Sequence, residues 1–96
     1  MEQHELEMVV LAILTVADCS VYTLERLSRQ AMGYERSLGG ALFCTIQRLM
    51  KDNHITSYHS QSTNILTYSS TKEGRKYFSS MIVDTEYTNK HVYFAN

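Results

Sequence analysis

The feature that most constrains this chain is the order of three signals between Leu42 and Tyr77: an amphipathic helical stripe, two β-rich runs joined by five polar residues, and a capped helix start. Leu42, Ile46, Leu49 and Met50 fall at i, i+4, i+7 and i+8, with Phe43 at the edge of the stripe. Such a helix is stable only against a core. At 100° per residue Ala41, Cys44, Arg48 and Lys51 project to the opposite face, with Thr45 and Gln47 at its flanks. That face is small at its start and cationic at its end. Asn53 follows as the non-glycine residue type that takes a left-handed helix-ending conformation most readily. Ile55–His59 and Ile65–Ser69 are rich in β-branched and aromatic residues and flank Ser60 to Asn64, which predicts a hairpin. Ser70-x-x-Glu73 has the form of a capping box, with Thr71 as an alternative cap. Gly74 in the first turn costs about 1 kcal/mol of helix propensity against alanine, so a close approach is expected there.

Upstream, Leu6, Val9, Val10, Ile13 and Leu14 recur at helical spacing, and Leu11, Ala12 and Val16 extend the apolar surface almost all round. This first helix is expected to be the buried one. Ser20 is a candidate N-cap for a second helix carrying Leu24, Leu27 and Ala31 on one face, and Gly33 suits its C-terminal stop. Beyond Met81 the pattern weakens: Thr85, Thr88, Val92, Tyr93 and Phe94 favour an extended tail as much as a helix. Three helices, a hairpin and a fourth helix start make a mainly α protein with a small β-hairpin (α+β), the order of a winged helix-turn-helix. The division expected is a DNA-binding domain over 1–81 and a tail over 82–96 that could serve dimerisation.

The chain has 96 residues, 44% of them hydrophobic, which supports one small domain. Burial in so small a core is limited, and a homodimer is the expected remedy. The apolar run Met8 to Ala17 is too short to cross a bilayer, and Glu2, Glu5 and Glu7 precede it instead of the cations of a signal peptide. A cytoplasmic protein without membrane partners is expected, with Cys19 and Cys44 as reduced thiols. The net charge is only −1, but the charges are segregated. Arg26, Arg29, Arg36, Arg48, Lys51, Lys72, Arg75 and Lys76 stand against Glu35, Asp52 and Glu73, eight against three, so 26–76 carries +5. The first 25 residues hold five acidic groups and no cation. A basic middle fits a domain that meets phosphate with one face, and ordinary solvated helix faces are the plainer reading.

Three segments in order, Val21-Tyr22-Thr23-Leu24, then Leu42-Phe43-x-x-Ile46-x-Arg48-Leu49-x-Lys51-Asp52-Asn53-x-Ile55, then Tyr68-x-x-Thr71-x-x-Gly74, resemble the PadR family of winged-helix transcriptional regulators. The resemblance spans about Leu6 to Phe78. It implies a dimeric repressor whose third helix, 39–52, enters the major groove and whose wing touches flanking backbone. Val21 stands where the family has glycine, Ala41 where it has threonine, and Gly39-Gly40 follow Leu38 where a polar cap is usual. The wing tip Ser60-Gln61-Ser62-Thr63-Asn64 carries no Arg or Lys. The family's dimerising helix would have to fit after Thr71, which predicts a short or differently built one.

The candidate DNA contacts are Gly39, Gly40, Ala41, Cys44, Thr45, Arg48, Lys51, Arg26 and Arg29. Arg48 suits guanine or phosphate, against a local ion pair with Asp52 at i+4. Lys51, Arg26 and Arg29 suit sequence-blind phosphate contacts. Gly39 and Gly40 would let the helix start approach a phosphate, or simply form a turn. Tyr22, Tyr34, Phe43, Tyr58, Tyr68, Tyr77 and Phe78 are read first as core, with a flat small-molecule inducer at a dimer centre as the alternative. His4, His54, His59 and His91 lack zinc-pair spacing, and no cofactor, metal or catalytic motif is present in the sequence, so an enzyme is not expected. Rival roles are plasmid or phage replication and segregation, or a winged-helix protein-interaction module without DNA binding.

Overall fold

A computed structural model describes residues 2–33 and 38–95, with side chains described from His4 to Val83. Its elements are α1 (Glu2–Val16), β1 (Cys19–Ser20), α2 (Val21–Met32), α3 (Gly40–Lys51), β2 (Ile55–His59), β3 (Leu66–Ser70) and α4 (Lys72–Ala95). The mainly α, winged helix-turn-helix order expected from the sequence is present, with one addition. The hairpin gains a third antiparallel strand, β1, so that the sheet order is β1-β3-β2.

The local chemistry explains the boundaries. Ser20 caps α2: its Oγ accepts from the Thr23 amide at 3.3 Å. Gly33 ends α2 at φ 73°, and its amide reaches the Arg29 and Gln30 carbonyls. Asp52 and Asn53 close α3, Asn53 at φ 62°, and the His54 amide donates back to the Leu49 carbonyl at 2.8 Å. Thr71, not Ser70, caps α4, because its Oγ1 accepts from the Gly74 amide at 2.9 Å. The same hydroxyl donates to the Asn53 carbonyl at 2.6 Å, and the Thr71 amide donates to the His54 carbonyl at 3.1 Å. These bonds tie the start of α4 to the α3–β2 turn. Gly74 is buried there, and a β-carbon on it would overlap the His54 carbonyl group. The approach expected from the sequence is real.

α1 packs against α2, α3, α4 and β3 and is the hub of the domain. Leu6, Val10, Leu11 and Leu14 are buried with Leu24, Leu42, Ile46, Leu49, Ile55, Tyr68 and Met81. No described residue from Leu6 to Leu14 is exposed, as expected of the buried helix, but its burial is deepest on one side. Val9, Ala12 and Ile13 are half-buried and Val16 is exposed, because the packed neighbours cover only one flank. In the sheet, Cys19, Ser57 and Tyr68 share a register line facing the core, while Ser20, Thr67 and Tyr58 share the next line on the other face. The Tyr58 hydroxyl donates to Asp18 Oδ2 at 2.6 Å and ties β2 to the α1–β1 loop.

The expectation that the final helix could be short is corrected. α4 runs through the proposed boundary at Met81 as one helix of 24 residues, so 82–96 does not begin as an extended tail. No Gly or Pro follows Gly74 to stop it. The aromatic residues divide: Tyr68 is buried, Tyr77 and Phe78 are half-buried, and Tyr22, Phe43 and Tyr58 are exposed. Core packing therefore accounts for only three of the six described ones. Tyr34, Arg36 and the side chains of the tail, His91 included, lie outside the described residues.

Candidate nucleic-acid interface

α3 is entered through Gly39, whose φ of 51° and ψ of −124° favour a residue without a β-carbon. The Leu38 carbonyl accepts from the Ala41 amide at 3.1 Å and the Gly39 carbonyl from the Phe43 amide at 3.3 Å, so α3 starts tightly without a side-chain cap. Among the described residues, a β-carbon on Gly39 or Gly40 would meet nothing within 4 Å. Both lie at an accessible helix start, as the phosphate reading requires.

On α3, Leu42, Thr45, Ile46 and Leu49 are buried. Gly40, Cys44, Gln47 and Lys51, at i, i+4, i+7 and i+11, form the exposed ridge, with Phe43 on one flank and Ala41 on the other. Two candidate contacts change. Thr45 is fully buried (0% exposed), because its hydroxyl donates to the Ala41 carbonyl at 2.8 Å and the residue then packs as a valine would. It cannot touch DNA. Arg48 is half-buried on the flank towards α1, where its Nε lies 3.7 Å from Glu7 Oε1. A carboxylate from α1 thus draws the guanidinium away from the centre of the exposed ridge.

Arg48 joins a small polar cluster. His54 stacks on Tyr77 with ring centroids 4.3 Å apart and planes 15° apart. Burial pushes the Tyr77 phenol above the usual tyrosine value, Glu7 and Asp52 push it further, and Arg48 opposes them. The cluster lies where α4 meets α1 and α3, and it serves packing.

Cys44 is exposed and free, while Cys19 is buried, with its thiol pushed up by burial and then by Asp18. On α2, Tyr22, Arg26 and Gln30 form an exposed i, i+4, i+8 line, and Arg29 is half-buried beside it. The residues that sequence reasoning missed are Gln47, Phe43 and Tyr22. Phe43 is 63% exposed and Tyr22 77%. Centring the buried stripe of α3 on Leu42, Thr45 and Leu49 would have moved Gln47 from the flank to the middle.

The wing tip is a tight polar turn. The Ser60 amide donates to the Ile65 carbonyl at 3.0 Å, the Asn64 amide donates to the Ser60 carbonyl at 2.6 Å, and Asn64 sits at φ 58°. It carries no charge, and Ile65 and Leu66 beside it are exposed.

No protein-family model and no curated protein matches the chain. Solved structures do. A transcriptional regulator from Clostridium thermocellum is 25% identical, with a TM-score of 0.76 over 91% of this chain and 85% of that one. A PadR family transcription regulator from Clostridium difficile is 20% identical, with a TM-score of 0.75 over 88% and 91%. A PadR-like transcription factor from Bacteroides fragilis is 16% identical, with a TM-score of 0.83 over 100% and 94%. Four helices around a three-stranded antiparallel sheet, with α3 presented beside a hairpin wing, give this chain a winged-helix fold like that of these solved transcriptional regulators.

Proposed function

We propose that the chain is a dimeric, sequence-specific DNA-binding regulator of transcription, acting as a repressor with α3 in the major groove. The observation that carries this reading is the exposed ridge Gly40-Cys44-Gln47-Lys51, polar and closed by a cation, on the helix that a winged helix-turn-helix presents to DNA. Similarity to solved transcriptional regulators supports the regulatory role and gives no support to catalysis. Lys51, Arg26 and Arg29 then neutralise phosphates, Ala41, Cys44 and Gln47 lie against base edges, and Gly39 and Gly40 allow close approach of the helix start. The half-exposed flank of α1 and the portion of α4 beyond Met81 are the surfaces on which two copies would meet. Two copies place recognition helices about 34 Å apart, one turn of DNA. Among the described residues no helix is long and apolar enough to cross a membrane, and a cytoplasmic site of action fits this role.

The test is fluorescence anisotropy with labelled duplexes from the DNA upstream of the chain's own gene, repeated over a range of salt. Binding should weaken steeply with salt, and Lys51→Ala should reduce the log–log slope by about 0.9. Light scattering should give a dimer mass. The uncharged wing tip with exposed Ile65 and Leu66 favours one rival, a protein-interaction module. The absence of any salt-dependent duplex binding would contradict the present reading and favour that rival.

A further inference from the structure

We infer that the base-reading part of α3 is built for A·T pairs, with Gln47 reading an adenine and Phe43 a neighbouring thymine methyl group; this rests on the DNA-binding reading above. In the major groove guanine is read best by an Arg or Lys fork, adenine by the bidentate amide of Asn or Gln, and thymine by apolar contact with its methyl group. The exposed surface of α3 sorts cleanly by that chemistry. Its single arginine, Arg48, is drawn to Glu7 on the flank away from Phe43. Its single lysine, Lys51, is the last residue of the helix. Base contacts in a helix-turn-helix come from the N-terminal part of the recognition helix, so Lys51 is placed for phosphate. What remains near the groove is Gly40, Ala41, Phe43, Cys44 and Gln47. None of these can supply the cationic fork that guanine prefers.

The geometry makes the two contacts a unit. Phe43 and Gln47 are an i, i+4 pair, about 6 Å apart at their β-carbons, and base pairs follow one another every 3.4 Å. Their targets are therefore adjacent or next-but-one pairs. Phe43 is 63% exposed although it is a large apolar side chain in the first turn of α3, and contact with thymine methyl groups would cover it. Ala41 and Cys44 are small and uncharged, which lets the helix axis come close enough for an amide to reach a base edge.

The test is in vitro selection by the full chain from randomised duplexes about two helical turns long, repeated with Gln47→Ala and Phe43→Ala. The selected duplex is then rebuilt with uracil for thymine and with 7-deazaadenine for adenine. The wild type should enrich paired A·T steps. Uracil and 7-deazaadenine should each weaken its binding by roughly fivefold to a hundredfold, the range of a good base contact. Phe43→Ala should bind thymine and uracil duplexes alike, and Gln47→Ala should lose its response to 7-deazaadenine. Circular dichroism checks that both exposed-site variants stay folded. Enrichment of G·C pairs at the half-site centre, or variants that respond like wild type, overturns the assignment of these residues. Salt-dependent binding without any enrichment overturns the assignment and leaves the DNA-binding reading standing. No binding to any duplex overturns both.

Discussion

Replacing Gly74 with alanine isolates the junction that fixes α4 to the rest of the domain. In an open helix the change would gain about 1 kcal/mol of helix propensity. Here the new β-carbon would overlap the His54 carbonyl oxygen and lie 2.7 Å from the carbonyl carbon and 3.1 Å from the α-carbon. These are backbone atoms that cannot swing aside, so α4 or the α3–β2 turn must shift. Overpacking of this kind costs about 1 to 3 kcal/mol. The shift also strains the Thr71 amide bond to the His54 carbonyl, worth about 1 kcal/mol. After the propensity gain the net expectation is a loss of about 2 kcal/mol. With a urea slope near 1 kcal/mol/M for a small domain, the midpoint should fall by roughly 2 M. Urea titration followed by circular dichroism reads this directly. Gly40→Ala is the control, since its β-carbon meets open space and should leave the midpoint unchanged or raise it slightly. A Gly74→Ala protein as stable as the wild type would refute the close packing of α4 on His54.

Three further perturbations follow from single contacts. The Asp18 hydrogen bond, then burial and the Asp18 charge, hold the Tyr58 phenol above the ordinary 10.0; Asp18→Asn should lower its titration midpoint, followed by phenolate absorbance, and an unchanged midpoint would remove the bond. Because Tyr58 and Tyr77 are both raised, their contribution to stability is complete below pH 10.0 and disappears as pH rises through their folded values; thermal melts should be flat in this respect near neutrality and fall in alkali, and a fall with acid alone would contradict the sign. Ser28 is fully buried and its Oγ has no hydrogen-bond partner among the described residues, so Ser28→Ala should be neutral or stabilising by up to about 1 kcal/mol, and a loss of stability in denaturant would show that the hydroxyl is bonded.

The parts of the fold written in local chemistry were legible. Ser20, Gly33 and Asn53 each mark a helix start or end, and the structure uses each of them so, while the start of α4 was legible only to within one residue, since Thr71, the alternative to Ser70, is the cap. β1 was not legible, because two residues carry no periodicity and Ser20 already serves as a cap. The length of α4 was obscured by β-branched residues such as Thr85, Thr88 and Val92, which weaken helix propensity without stopping a helix that has already started. On α3, the exposure of Cys44 and Lys51 was legible from angular projection alone. Thr45 was misplaced because a threonine that bonds to the carbonyl four residues back can occupy a core position. The half-burial of Arg48 was not legible, because Glu7 is far away in sequence and is brought near it only by packing of α1 on α3.

The central claim, that the exposed ridge of α3 meets duplex DNA, is tested most directly by protection of a thiol already on that ridge. Cys44 is exposed and Cys19 is buried, so an alkylating reagent should modify Cys44 in the native protein and spare Cys19 until the fold is lost. The rate of Cys44 modification is measured by mass spectrometry with and without duplex DNA, at concentrations where anisotropy shows the protein saturated. The account predicts that bound DNA slows modification of Cys44 strongly, and that protein alkylated there beforehand keeps its circular dichroism spectrum and loses DNA binding. An unchanged rate at saturation would contradict it and place the bound DNA on another face of the domain.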